Sequence, residues 1–314
     1  MFDPGFSAES PLYAAVRWLT FMGLVGVIGV VAFRLVVLWM MCHKWEPAGR
    51  AIVAPAAARA ARFGLGAVAV LAVALVLRLY AQSYAIFGGS HALDSESISA
   101  LLSGTTWGWG WLLQGAAALV ALAGFVMAEK DSRMGWTLAT LGVIALAFTP
   151  GLSGHAVATP ELTALAVLTD GLHVLGAGGW LGSLLLVVVV GIPVALGRTD
   201  GDRGATVGAL INAFSPTALF FAGVVVSTGV FAAWLHLGTV PALWESAYGR
   251  TLLLKLAVLS IVFGTGAYNW LKVKPSLGDE AAAGRLRRSA TLELGVGVVV
   301  LAITAVLVAT SPPE

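Results

Sequence analysis

Residues 170–182 read DGLHVLGAGGWLG, an aspartate and a histidine three positions apart inside an otherwise apolar stretch. Positions 170, 173, 177 and 180 share one face of an α-helix, so Asp170, His173 and Trp180 line up with Ala177 between them. A carboxylate beside an imidazole can hold a metal or handle a proton. Imidazole suits copper, zinc and haem iron, and the carboxylate can ligate directly or orient the ring through its second nitrogen. Gly178 and Gly182 sit on another face with the small-xxx-small spacing that lets a second helix approach closely. The simpler reading is that Asp170 and His173 only lock helix packing.

Four more histidines bear on this choice. His91, His155 and His236 join His173 as candidate metal ligands with Asp170, whereas His43 closes the segment MMCH. There Met40, Met41, Cys42 and His43 bring two thioethers, the only thiol and an imidazole together, a set that could release Cu(I). Consecutive residues do not share a helix face, however, and a Met-rich helix end also serves plain packing. One cysteine excludes an intramolecular disulfide and any Cys-rich zinc or iron–sulfur site.

The elements that must position these residues are membrane helices. Of 314 residues, 59% are hydrophobic and 11% charged, with a mean hydropathy of +0.91, far from the roughly one-quarter charged content of soluble domains. Apolar runs long enough to cross a bilayer recur at 12–41, 63–87, 107–128, 134–152, 162–196, 213–237, 251–271 and 289–310. The expected fold is an all-α polytopic bundle of eight spans, one integrated membrane domain with an N-terminal half at 1–152 and a C-terminal half at 153–314. The opening MFDPGFSAES has no positive n-region, so the first span is expected to remain a mature helix.

Most of the 18 basic residues lie in alternate connections: Lys44 to Arg62, Lys130 and Arg133, Arg198 and Arg203, and Lys272 to Arg288. By the positive-inside rule these loops are cytoplasmic and both termini face outward. His91, His155, His173 and His236 then fall in the outer half and His43 on the inner side. Asp170 and His173 lie roughly 12 and 16 Å along the fifth span. A charge near the bilayer centre costs about 2.5–3.5 kcal/mol on insertion scales, so both should face the bundle interior. Arg34 and Lys255 are expected to snorkel to the interface, and Glu293 to pair with Arg287 or Arg288. TTWGWGW at 105–111 reads as an interfacial aromatic belt, preceded at 97–102 by a short helix lying on the membrane. Neither a Walker A loop nor HExxH occurs, so ATP drive and zinc proteolysis are not expected. The net charge of +2 gives no reason to expect nucleic acid.

LSGHA at 152–156, DGLHVLGAGGWLGSLL at 170–185, FSPTALFFAGVVVSTGV at 214–230 and YGRTLLLKLAVLSIVFGTGAYN at 248–269 resemble the bacterial CopD family. The resemblance covers roughly residues 150–275, the first four spans matching in hydropathy and number. It implies a multi-pass protein of the bacterial inner membrane that moves or sequesters copper, often with a periplasmic CopC-like copper carrier as partner. It also places the family's histidines and acidic residue on His155, His173 and Asp170. Beside this non-enzymatic copper role stand two alternatives. One is a redox protein holding haem b between His173 and His155 or His236; the other is an accessory subunit whose polar residues only set packing.

Overall fold

A computed structural model describes residues 10–44, 48–152, 163–198, 203–273 and 280–313, and the side chains of all of these except 48, 163, 272–273 and 280–287. The protein is an all-α polytopic membrane protein. Among the described residues eight helices are long and apolar enough to span a bilayer: α1 (Pro11–Lys44), α2 (Gly49–Phe87), α4 (Thr106–Ala128), α5 (Arg133–Leu152), α6 (Ala164–Leu196), α7 (Arg203–Leu237), α9 (Ala247–Leu271) and α10 (Arg288–Leu307). Between them, α3 (Ser95–Gly104) and α8 (Ala242–Glu245) are short connecting helices.

Two spans begin well before the hydropathy places them, α2 by more than three turns and α7 by almost three. Hydropathy marks the length that lipid requires, whereas the helix continues wherever its residues favour it. The start of α2 is rich in alanine, the strongest helix former. The start of α7 buries Val207, Leu210 and Ile211 against the bundle. Gly88 and Gly238, just past α2 and α7, take positive φ (78° and 63°), the left-handed conformation that ends helices at little cost with glycine.

The main core is formed by α1, α2, α4, α5, α6 and α7, around Leu24, Phe33, Leu71, Phe125, Leu186 and Leu210. Between helices already surrounded by lipid, attraction comes from close packing, so small residues mark the contacts. A Cβ added at Gly182 of α6 would stand 2.6 Å from the Cα of Gly29 in α1, and one at Gly178 would stand 2.7 Å from the Ile28 Cβ. Helix α1 is therefore the neighbour seated on the glycine face of α6.

Helix α6 is not regular. It contains two π-helical turns, Gly178–Gly182 and Val187–Gly191. Each inserts a residue into the α-helical repeat and rotates the next stretch of helix, a distortion frequent at functional sites. Ser183 donates from its hydroxyl to the carbonyls of Gly179 and, at 3.2 Å, Trp180, occupying acceptors that the wider turn loosens. The face shared by Asp170, His173 and Ala177 thus lies on regular helix, and Trp180 falls within the first π turn.

Candidate metal site

The basic connections lie at one end of the bundle, and the polar residues of interest gather near the other. Asp170 is six residues into α6, His173 nine, Lys255 eight into α9, and Thr228 nine from the end of α7. At 1.5 Å per residue these positions share a layer roughly 9–14 Å from that end.

His173 points to α7, where its Nδ1 lies 2.9 Å from the Thr228 Oγ1. That hydroxyl already donates to the Val224 carbonyl at 2.6 Å, so it accepts from Nδ1–H. The assignment leaves the lone pair on Nε2. A ring nitrogen held as donor by a neighbour, with the other nitrogen open, is the arrangement found behind metal-ligating histidines. Gly229 adds to it: a Cβ there would meet the His173 Cε1 at 3.5 Å.

Asp170 sits between α5 and α9. Its Oδ2 would be 3.1 Å from a Cβ at Gly151, and Lys255 acts electrostatically on both Asp170 and His173. Lys255 therefore turns its charge inward, a correction to the expectation that it snorkels to the interface. A buried carboxylate is a stronger attractor for a lysine than the interface when both lie at the same depth. Tyr248, at the start of α9, also feels the Asp170 charge and packs edge-to-face against His236 with ring centroids 6.0 Å apart. Tyr248 and His236 thus pair near the end of the bundle that is closer to the Asp170 layer. Nothing along the chain marks Thr228, Tyr248 or the inward Lys255, because each is ordinary on its own helix.

Below this layer Trp180, 6% exposed, stacks at a tilt on Phe263, centroids 5.1 Å apart. Next to that pair opens a cavity of about 540 Å³, lined among others by Phe214, Ser215, Asn269 and Glu293. The Glu293 carboxylate accepts a hydrogen bond from the Asn269 side chain across the α9–α10 contact; the basic residues expected as its partners include Arg288, which is exposed. The Asn269 Oδ1 is buried without a donor among the described residues.

The other candidates are dispersed. His91 pairs with Asp94 at 2.8 Å and both are exposed. His155 lies outside the described residues. Met41 is fully buried in the core, Met40 lies 3.9 Å from the Thr217 hydroxyl, and exposed His43 stacks on Trp39 with its Nδ1 2.8 Å from the Trp39 carbonyl. The MMCH side chains therefore take separate surroundings. Among the described residues no three His, Cys, Asp or Glu side chains converge as a metal cluster.

The N-terminal half has a polar layer of its own, and its character is opposite. Arg78 donates to the Gln114 Oε1 at 2.8 Å and lies 5.5 Å over the Trp107 ring, while Arg17 lies 4.0 Å over Tyr13. The Tyr13 hydroxyl donates to the Gln82 Oε1. Trp111 donates to the Leu75 carbonyl at 2.9 Å, so of the TTWGWGW tryptophans only Trp109, 65% exposed, stands outward as a belt residue should. Two guanidiniums repel a metal cation, whereas the α6–α7–α9 layer sets a carboxylate and an imidazole against the Lys255 ammonium.

Comparison with known proteins covers both halves of the chain. The model for copper resistance protein D matches residues 208–307, and that for the copper resistance protein D-like N-terminal domain matches residues 7–165. "Copper transport protein CutJ" of Bacillus subtilis is 27% identical over 327 residues, covering 99% of this chain and 56% of that protein. "Copper resistance protein D" of Pseudomonas syringae pv. tomato is 27% identical over 326 residues, covering 97% of this chain and 98% of that protein. No solved structure matches. The likeness runs through the first four spans as well, beyond the 150–275 region carried by the motifs. The chain belongs to the CopD family of copper resistance proteins.

Proposed function

We propose that this protein moves copper across the bacterial inner membrane through its α6–α7–α9 side, with both termini and the Asp170–His173 layer on the periplasmic side. The observation that carries the reading is the His173–Thr228 hydrogen bond, which fixes the ring with its lone pair on Nε2, one helical turn from Asp170 on the same helix. His236 and Tyr248 lead inward from the outer end; His155 and His91 supply further imidazoles on that side. Asp170 and His173 hold the ion in the bundle, and Lys255 supplies a resident positive charge that the ion must displace from Asp170. Trp180 and the cavity beneath it continue toward the basic end. A periplasmic CopC-like carrier is the proposed donor or acceptor of the ion. Imidazole and carboxylate suit Cu(II), while the sulfur ligands near Met40 and Cys42 suit Cu(I).

Elemental analysis and an absorption spectrum of the detergent-purified protein test this directly. Copper is expected in the wild type and at least a tenfold weaker affinity in His173→Ala. Unchanged copper in a His173→Ala, Asp170→Asn double variant would overturn the reading. A Soret band would instead establish the haem alternative, although the matched family descriptions and relatives name copper and none names haem.

A further inference from the structure

At the basic end of the bundle, on the side away from the copper layer, α1 and α5 enclose a second cavity of about 390 Å³. Its walls are Arg34, Leu35, Arg133, Trp136, Thr137, Thr140 and Leu141. No carboxylate is among them. In the α4–α5 connection, Glu129 is taken by Arg62 at 2.7 Å and Asp131 is exposed.

The donors here are unusual for buried groups. The Arg34 Nε and the Trp136 Nε1 are both buried and neither has a hydrogen-bond partner among the described residues. Trp136 is 6% exposed, held by an edge-to-face contact with Phe125 at 6.4 Å. Arg34 lies 5.5 Å over its ring. An orphaned buried donor costs far more than a satisfied one, so two of them on one cavity wall imply an acceptor that belongs there. Arg133 adds a second guanidinium at the mouth. The Thr137 and Thr140 hydroxyls donate to carbonyls of their own helix, at 3.1 and 2.7 Å, so the donor set is the two arginines and the indole.

Local structure explains how Arg34 comes to lie here. It falls in a π-helical turn, Phe33–Val37, which shifts the register of α1 ahead of its basic end. From Arg34 to Lys44 is ten residues, roughly 15 Å, so the cavity reaches well below the surface while Arg133 stands at its start. Leu35 and Leu141, both exposed on the lipid-facing side, rim the cavity.

We propose that this cavity holds the phosphate of an anionic bilayer lipid, bridged by Arg34 and Arg133 and receiving the Trp136 indole N–H, with an acyl chain along Leu35 and Leu141. Two planar guanidiniums without a carboxylate suit a phosphate oxyanion, and basic pockets between helices on the cytoplasmic side bind such headgroups. The apolar rim selects the lipid over the free ion. The inference is independent of copper transport.

The test uses the full chain, delipidated in detergent, with lipid retention read by native mass spectrometry. Phosphatidylglycerol is expected to be retained at least tenfold better than phosphatidylcholine with the same chains. Arg34→Gln and Arg133→Gln should each reduce retention about ten- to a hundredfold, the size of one lost charge-assisted hydrogen bond. Trp136→Phe keeps the ring that packs on Phe125 and removes only the N–H, so a reduced preference in it reads the donor and not the fold. Equal retention of the two lipids, or unchanged preference in all three variants, would overturn the proposal. Inorganic phosphate displacing the lipid at equal concentration would overturn the lipid as occupant. Copper content stays unchanged in every variant, so failure here and failure of the copper reading are distinguished.

Discussion

His173 shows what a single hydrogen bond decides. On its own helix it is one polar residue in a span; with Thr228 accepting from Nδ1, its remaining nitrogen keeps the lone pair. Thr228→Val should therefore weaken copper binding about 10- to 100-fold without changing the fold, with Thr228→Ser restoring most of it, as measured by copper titration of the purified protein. Lys255 acts in the opposite sense. Its charge lies within electrostatic reach of Asp170 and His173 and competes with an incoming cation. Lys255→Met is expected to tighten copper binding by about tenfold, corresponding to roughly 1.4 kcal/mol of repulsion removed. A tighter but slower transporter would show as lower uptake into vesicles at saturating copper.

At the scale of the element, α6 carries both the site and the packing that holds it. The small-residue spacing at Gly178 and Gly182 is legible in sequence, and so is the face joining Asp170 to His173. The partner helix is not. Only the assembled bundle identifies α1, whose Gly29 lies so close that a side chain at 182 has nowhere to go. Gly182→Leu should destabilise the protein by about 3 kcal/mol or more, beyond the usual cost of overpacking because backbone stands in the way. A fall in the thermal unfolding midpoint measured in detergent, with Gly223→Leu as the open-space control, checks it. The π turns escaped sequence reading for a physical reason: they depend on which carbonyls find alternative donors such as Ser183, and hydropathy has no term for that.

For the whole molecule, the distribution of Lys and Arg predicts the orientation, and single-cysteine labelling measures it. In a Cys42→Ser background, a cysteine at Thr239, beyond α7, should react with a membrane-impermeant maleimide in intact cells. One at Lys130, between α4 and α5, should react only after permeabilisation. The reverse pattern would place the Asp170–His173 layer on the cytoplasmic side.

The sequence alone determined the class, the number of spans and the depth of Asp170 and His173, because hydropathy and helical periodicity run along each span, and its ordered motifs at 152–156, 170–185, 214–230 and 248–269 carried the family resemblance. The early start of α7, the bond from His173 to Thr228, the surroundings of Lys255 and the paired orphan donors of Arg34 and Trp136 were decided by tertiary structure. Each of these depends on a group from another helix, brought near by packing that small residues permit, and no pattern along the chain encodes which helix that will be.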